Sequence, residues 1–365
     1  MWIHRCPLCA QADAEGGAAS GPAPLRRGHR FLTIDLHCHV LVPSAEALVA
    51  DHPAKAHEPQ FMLAAMGAES VAHNNNVMLP QAFPKLTRIE ERLADMDGMG
   101  VDVQVISPSP SQYYYWAETE LAARLVTTQN EHIAALCALH PTRLAGLGAV
   151  ALQHPELATE QLRYAVRELG LKGVEISTSV AGRELSDPAL RPFWAEAEAL
   201  GALVFIHPMG TTLGARTANR YLANTIGQPL ETTIALSHLI FEGVLDQYPR
   251  LKILAAHGGG YLPTYIGRSD HAHRVRPEAA TGTPTRPSKH LRRIWFDTLV
   301  YDATGLRHLI DRVGVSQVVV GTDYPFDMGW YDVHGQVDAT TGLSAHERAA
   351  ILGKNAAGLI GWPQE

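Results

Sequence analysis

From Phe31 onward, short β-branched runs alternate with helical patterns, and this alternation restricts the fold more than any other feature of the chain. Strands are predicted at 32–36, 101–107, 145–151, 172–177, 202–206, 251–256, 293–298 and 317–321. Helices are predicted at 120–139, 155–169, 187–200, 230–247, 303–313 and 344–352. Two of these carry start signals: Asp187 stands before Pro188, and Ser344 is followed three residues on by Glu347, a capping box. Eight alternating units of this length close most economically into an α/β fold of the (β/α)₈ barrel type. A doubly wound open sheet is the alternative. It would want a phosphate-binding glycine loop after the first strand, where this chain has histidines.

The connection at 40–88 is too long for an ordinary loop and mixes His73-Asn-Asn-Asn76 with prolines and apolar patches, so a lid or small inserted subdomain after strand one is expected. Residues 1–30 are mostly small and polar and are expected to form a disordered extension. They lack the apolar centre of a secretory signal, and no apolar run is long enough to span a bilayer. With a formal charge of −7, nothing points to nucleic acid or anionic lipid, and a cytoplasmic protein is expected. Four cysteines are too few for a disulfide scaffold in 365 residues. Cys6-Pro-Leu-Cys9 is half of a zinc or redox pair that lacks its other half.

The predicted strands end on polar residues. His37 and His39 close the first, His207 the fifth, His257 the sixth and Asp323 the last. Buried parallel strands should be apolar, so such residues at their carboxyl ends mark the face where a barrel carries its chemistry. Residues two apart on a strand point the same way, so His37 and His39 can reach one ion, with His207 adding a third nitrogen. Imidazoles with a carboxylate suit one divalent ion, most simply zinc with a position open for water. Asp323 can serve both as ligand and as proton acceptor, and His257 as general acid or base. The glycines after His257, Gly258–Gly260, permit close backbone approach. Cys38, between the two histidines, should point away from them and pack. Glu175 is either an acceptor behind the site or a buried ion-pair partner, and no lysine stands at the end of strand four to bridge two metals. Tyr113-Tyr-Tyr-Trp116 after strand two suits either substrate stacking or packing.

Together, His37-x-His39, His207-Pro, His257-Gly-Gly-Gly and Gly321-Thr-Asp323-Tyr-Pro-Phe326 resemble the amidohydrolase superfamily, in the branch of aminocarboxymuconate-semialdehyde decarboxylase. The stretches starting at Met96 and Phe296 and the Gly267-Arg268-Ser-Asp270 segment agree, so the resemblance spans roughly 33–362. It implies a distorted (β/α)₈ barrel with one zinc, or manganese, on His37, His39, His207 and Asp323. It further implies His257 as the acid/base acting on metal-bound water, and non-oxidative decarboxylation of a small aromatic or muconate-like acid. Arg268 would reach a substrate carboxylate in a neighbouring subunit, hence a homodimer. Departures bear on the substrate. The lid arginine of that branch has no counterpart in 76–81, its pocket tryptophan falls at Tyr221, and the aromatic after His-Pro is Met209. Tyr221 and Met209 are therefore candidate substrate contacts. Hydrolysis of an amide, lactone or cyclic imide, and hydration of a conjugated acid, are the alternatives. A small-molecule sensor with a purely structural metal is the non-enzymatic one.

Overall fold

The computed structural model describes residues 31–363. The expected extension at 1–30, with Cys6 and Cys9, lies outside the described residues. Eight parallel strands are present: β1 Ile34–Val40, β2 Val103–Pro108, β3 Leu144–Gly146, β4 Gly173–Ile176, β5 Leu203–Ile206, β6 Lys252–Ala255, β7 Ile294–Asp297 and β8 Val318–Val319. Neighbours in this order pair in parallel, in one run of three strands and one of five. Isolated parallel bridges join the runs at both edges: Gly148 to Val174 between β3 and β4, and Asp35 to Val320 with Cys38 to Tyr324 between β8 and β1. The ring is closed, so none of its eight strands is left as an edge.

Seven helices follow the first seven strands: α1 Ile89–Met99, α2 Thr119–Leu139, α3 Pro155–Arg167, α4 Arg191–Leu200, α5 Gln228–Phe241, α6 Leu262–Val275 and α7 Ala303–Val313. The helix predicted at 230–247 is broken, because Gly243 sits at φ 73 and starts a separate turn at Val244–Gln247. The cap at Asp187 forms, its side chain accepting from Ala189 N at 2.8 Å, and so does the capping box at Ser344. Helices α1 and α6 are absent from the pattern reading for a physical reason. Each buries few side chains, only Leu262, Pro263 and Ile266 in α6, so neither shows a clear apolar stripe.

Inside the ring, Ile34, Leu36, Val105, Leu203, Phe205, Leu254 and Val319 form one apolar cluster, closed off by Ala356, Ala357, Leu359 and Ile360 of α8 Asn355–Ile360. A second cluster lies between strands and helices and contains Cys38, which packs as expected. Strand β1 runs four residues past its predicted end because its carboxyl half carries buried polar groups that broke the apolar pattern. An irregularity between Asp35 and Cys38 shifts its register. Strand β3 ends early because the Asn130 side chain takes over the backbone bonding, accepting from Ala149 N at 2.6 Å and donating to Ala149 O at 3.0 Å.

The long connection after β1 is helical: Pro43–Val49, Glu58–His73, a π turn at Asn74–Met78 and Leu79–Thr87. The segment after β2 fastens it. Gln112 bonds both backbone groups of Val42, at 2.8 and 3.0 Å, and Trp116 donates to Glu58 at 3.2 Å. Tyr114 donates to Glu46. Tyr114 and Trp116 are thus packing residues of the insertion, while Tyr113 and Tyr115 turn toward β4. Among the described residues no helix is long and apolar enough to cross a membrane.

Candidate metal centre and active site

At the carboxyl end of the barrel the strand-end residues converge. Ligand atoms of His37, His207, His257 and Asp323 all lie within 4.8 Å of one another. Asp323 divides its oxygens between two sides. His37 Nε2 and His39 Nε2 approach Oδ1 at 3.4 and 3.3 Å, and His257 Nε2 approaches Oδ2 at 3.6 Å. His37 and His39 are fully buried and His207 and Asp323 nearly so. Phe205 forms the floor, its ring 4.9 Å from that of His37.

The site is short of partners. Of twelve buried side-chain polar atoms without a hydrogen bond among the described residues, seven are here: His37 Nε2, His39 Nε2, both nitrogens of His207, His257 Nδ1, Asp323 Oδ1 and Glu175 Oε2. Each buried orphan costs about 1–3 kcal/mol, so their concentration at one point needs a counterpart. A divalent ion would supply that counterpart. Tetrahedral ligands about 2.1 Å from zinc stand about 3.4 Å apart, the spacing at which two imidazole nitrogens meet Asp323 Oδ1. The donor set fits a divalent metal.

Electrostatics agree. Burial alone would make His37 less basic, but Asp323 and Asp297 outweigh it and push its pKa up to about 10. Burial would raise the Asp323 pKa, but His37 with His257 and His39 holds it well below the usual carboxylate range. His207 is driven well down by burial and by the neighbouring imidazoles. A buried cluster of imidazoles sharing one carboxylate repels itself when protonated and offers lone pairs when neutral.

Behind these residues stand groups that set ring orientation. Asp297, at the end of β7, accepts His37 Nδ1–H at 2.7 Å, and so turns Nε2 toward Asp323. Its two oxygens also accept from His257 N at 2.9 Å, Gly258 N at 2.8 Å and Leu299 N at 3.1 Å. Asp297 ends β7 in the structure, but the predicted strand runs on to 298, so the strand-end rule that singles out Asp323 does not reach it. His39 Nδ1 faces Pro108 O at 3.2 Å and Glu175 Oε2 at 3.5 Å. Tyr113 donates to Glu175 Oε1 at 2.6 Å. Glu175 is therefore an acceptor behind the site, with a phenol rather than a cation as its hydrogen-bond partner.

His257 and Asp323 both sit at φ 55, in left-handed backbone that costs a side-chain residue about 1–3 kcal/mol. After His257 come three glycines at φ 61, 75 and 62. A Cβ at Gly260 would stand 2.0 Å from Pro229 O, a backbone atom that cannot step aside. Gly260→Ala is therefore expected to destabilise the protein by about 2 kcal/mol or more and to lower kcat by displacing His257. Thermal unfolding together with steady-state kinetics checks this; an unchanged melting temperature would contradict it.

Two cavities open at this face. One, of about 320 Å³, is lined by His257, Asp323, Tyr261, Tyr301, Asn224 and Gln228 among others. The second, of about 370 Å³, is lined by Met209, Phe61, Thr178 and Glu231 among others. Met209 lines the second cavity and not the one beside His257 and Asp323. Tyr221 lines neither cavity. It packs against the insertion near Ala65 and Met66, and burial with Asp327 and Asp323 pushes its pKa up to about 12. Arg268 is exposed on α6 and also lines neither.

A family model described as amidohydrolase matches residues 34–362. The 2-amino-3-carboxymuconate-6-semialdehyde decarboxylase of Dictyostelium discoideum is 38% identical over 74% of this chain and 76% of its own length. The crystal structure of 5-carboxyvanillate decarboxylase from Sphingomonas paucimobilis is similar with a TM-score of 0.78 at 26% identity, covering 91% of this chain and 99% of that one. The 5-carboxyvanillate decarboxylase of Novosphingobium aromaticivorans, solved with manganese and 4-hydroxy-3-methoxy-5-nitrobenzoic acid, shares the fold with a TM-score of 0.78 at 21% identity, covering 94% of this chain and all of that one.

Proposed function

The chain belongs to the amidohydrolase family, and from that premise we propose that it is a metal-dependent, non-oxidative decarboxylase of a small aromatic or muconate-like carboxylic acid. The observation that carries this reading is the cluster of unpartnered imidazole nitrogens around Asp323, opening on a cavity that His257 also lines. His37, His39, His207 and Asp323 would hold the ion. Zinc is the proposed metal for a set of three imidazoles and one carboxylate, with manganese, bound by the structural neighbour, as the alternative. When bound, the ion supplies Lewis-acid polarisation of the substrate's oxygen groups.

The rest falls to the chain. Asp297 and the Pro108 carbonyl hold the rings of His37 and His39 in one orientation. His257 Nε2, on the Oδ2 side of Asp323, carries the proton delivered to the carbon that bears the carboxylate. As the bond to the carboxylate breaks, its electron pair returns to the substrate and carbon dioxide leaves. The net change is one proton taken up and one carbon dioxide released. The helical insertion at 41–87 acts as a lid that keeps water from this step. Arg268, exposed on α6, would pair with a substrate carboxylate in the site of a second copy, which makes the working enzyme a homodimer.

Carbon dioxide release from a panel of ortho-hydroxy and ortho-amino aromatic acids, by enzyme of known metal content, tests the proposal. Release that vanishes in His207→Ala is expected. No release from metal-loaded enzyme would contradict it and favour hydrolysis of an uncharged amide or lactone, consistent with cavities that no Lys or Arg among the described residues lines.

A further inference from the structure

The cavity beside His257 and Asp323 is walled on one side by the start of the helix after β5, where Asn224 and Gln228 stand four residues apart. Both are half-buried. Neither side-chain amide makes a hydrogen bond among the described residues, although each has two donors and an acceptor to place. Other polar groups on this wall are committed. Tyr301 donates to Met328 O at 3.1 Å, Thr225 to Tyr221 O at 3.3 Å and Tyr261 to Thr225 O at 3.3 Å. The two carboxamides are thus the free hydrogen-bonding groups on the helix side of the site.

Charge narrows what they can meet. Among the described residues no Lys or Arg lines either cavity, whereas Asp323 faces the first and Glu231 the second. Glu231 takes three hydrogen bonds from Thr211 and Thr212, all on Oε1, so Oε2 adds negative charge without adding a donor. A second carboxylate placed against the helix wall meets uncharged amides and no cation, while a hydroxyl or amino group finds both donor and acceptor in each carboxamide.

We infer that Asn224 and Gln228 are specificity-determining residues that read a neutral hydroxyl or amino substituent on the substrate, so that the enzyme selects acids with such a group over acids with a second carboxylate. This deepens the decarboxylase reading and rests on it for the identity of the acid, though not for its binding. The metal and Arg268 serve the one departing carboxylate, and nothing on this wall serves another.

The test is calorimetric binding to metal-loaded enzyme of 2-hydroxybenzoates that carry, at one ring position, a hydroxyl, an amino group or a second carboxylate, with each position tried in turn. At one position at least, the neutral substituents are expected to bind about tenfold or more tighter than the carboxylate. Asn224→Leu or Gln228→Leu should erase about tenfold of that preference, the value of one neutral hydrogen bond. Gln228→Lys should shift the preference toward the dicarboxylate. Equal binding of all three classes at every position, or a preference that survives both leucine variants, overturns the inference. Binding with the expected preference but no carbon dioxide release would refute the proposed reaction and leave this inference standing.

Discussion

His257→Asn is expected to lower kcat by about 10²- to 10⁴-fold, the range supplied by a positioned general acid or base, while metal content stays at the wild-type level. The choice of asparagine separates chemistry from folding. His257 sits at φ 55, and asparagine tolerates left-handed backbone better than histidine does, so the variant should be no less stable. Asp297 bonds to the backbone N–H of residue 257 rather than to its side chain, so the support of His37 also survives. His257 approaches Asp323 through Oδ2 while His37 and His39 share Oδ1, which is why the metal should remain. Steady-state kinetics with metal analysis checks the expectation. A kcat within threefold of wild type would remove His257 from proton transfer, and loss of metal along with activity would move it to metal binding.

Asp297→Asn should do the reverse, weakening the metal site through a residue that touches no ligand-binding cavity. Each oxygen of Asp297 accepts two hydrogen bonds: Oδ2 from His37 Nδ1 and His257 N, and Oδ1 from Gly258 N and Leu299 N. An asparagine has one acceptor oxygen. Whichever way its amide turns, two buried N–H donors face an NH₂ group. At about 1–3 kcal/mol for each unsatisfied donor, a loss of about 2–6 kcal/mol of stability is expected. If the NH₂ faces His37, that ring also loses the acceptor that fixes its orientation. Metal affinity should then fall by about 10- to 100-fold. Competition with a chelator of known affinity, with thermal unfolding alongside, measures both. Unchanged affinity would mean that packing alone orients His37.

What the sequence discloses here follows from burial. Polar residues ending apolar strands are visible because they contradict their surroundings, so His37, His39, His207, His257 and Asp323 stand out without coordinates. The same contradiction marks Asp297, and it passed without a role because it sits in the interior of the strand predicted at 293–298 rather than at its end. Barrel closure was legible as a count of eight units. The partners across the closing edges were not, since the bridges Asp35 to Val320 and Cys38 to Tyr324 differ by one residue in spacing, an irregularity that no local pattern announces. Helix α6 hid because three buried residues do not make a stripe. The aromatic run after β2 was ambiguous for a different reason. Tyr and Trp serve cavities and packing equally well, and only the hydrogen bonds of Tyr114 and Trp116 to Glu46 and Glu58 assign them to packing. The carboxamide pair of Asn224 and Gln228 was out of reach altogether, because unpaired amides on a polar helix start look like any solvated surface until the fold sets them beside His257.

The central claim is that one divalent ion on His37, His39, His207 and Asp323 equips this site to release carbon dioxide from a carboxylic acid. Its most direct test is to strip the protein of metal and titrate zinc back, and manganese in parallel, while following carbon dioxide from the best acid in the panel. The account predicts no release from stripped enzyme, a rise that levels off at one equivalent of ion per chain, and no recovery at any ion concentration near one equivalent in His207→Ala. Full release from stripped enzyme, or a rise that requires two equivalents, would contradict it.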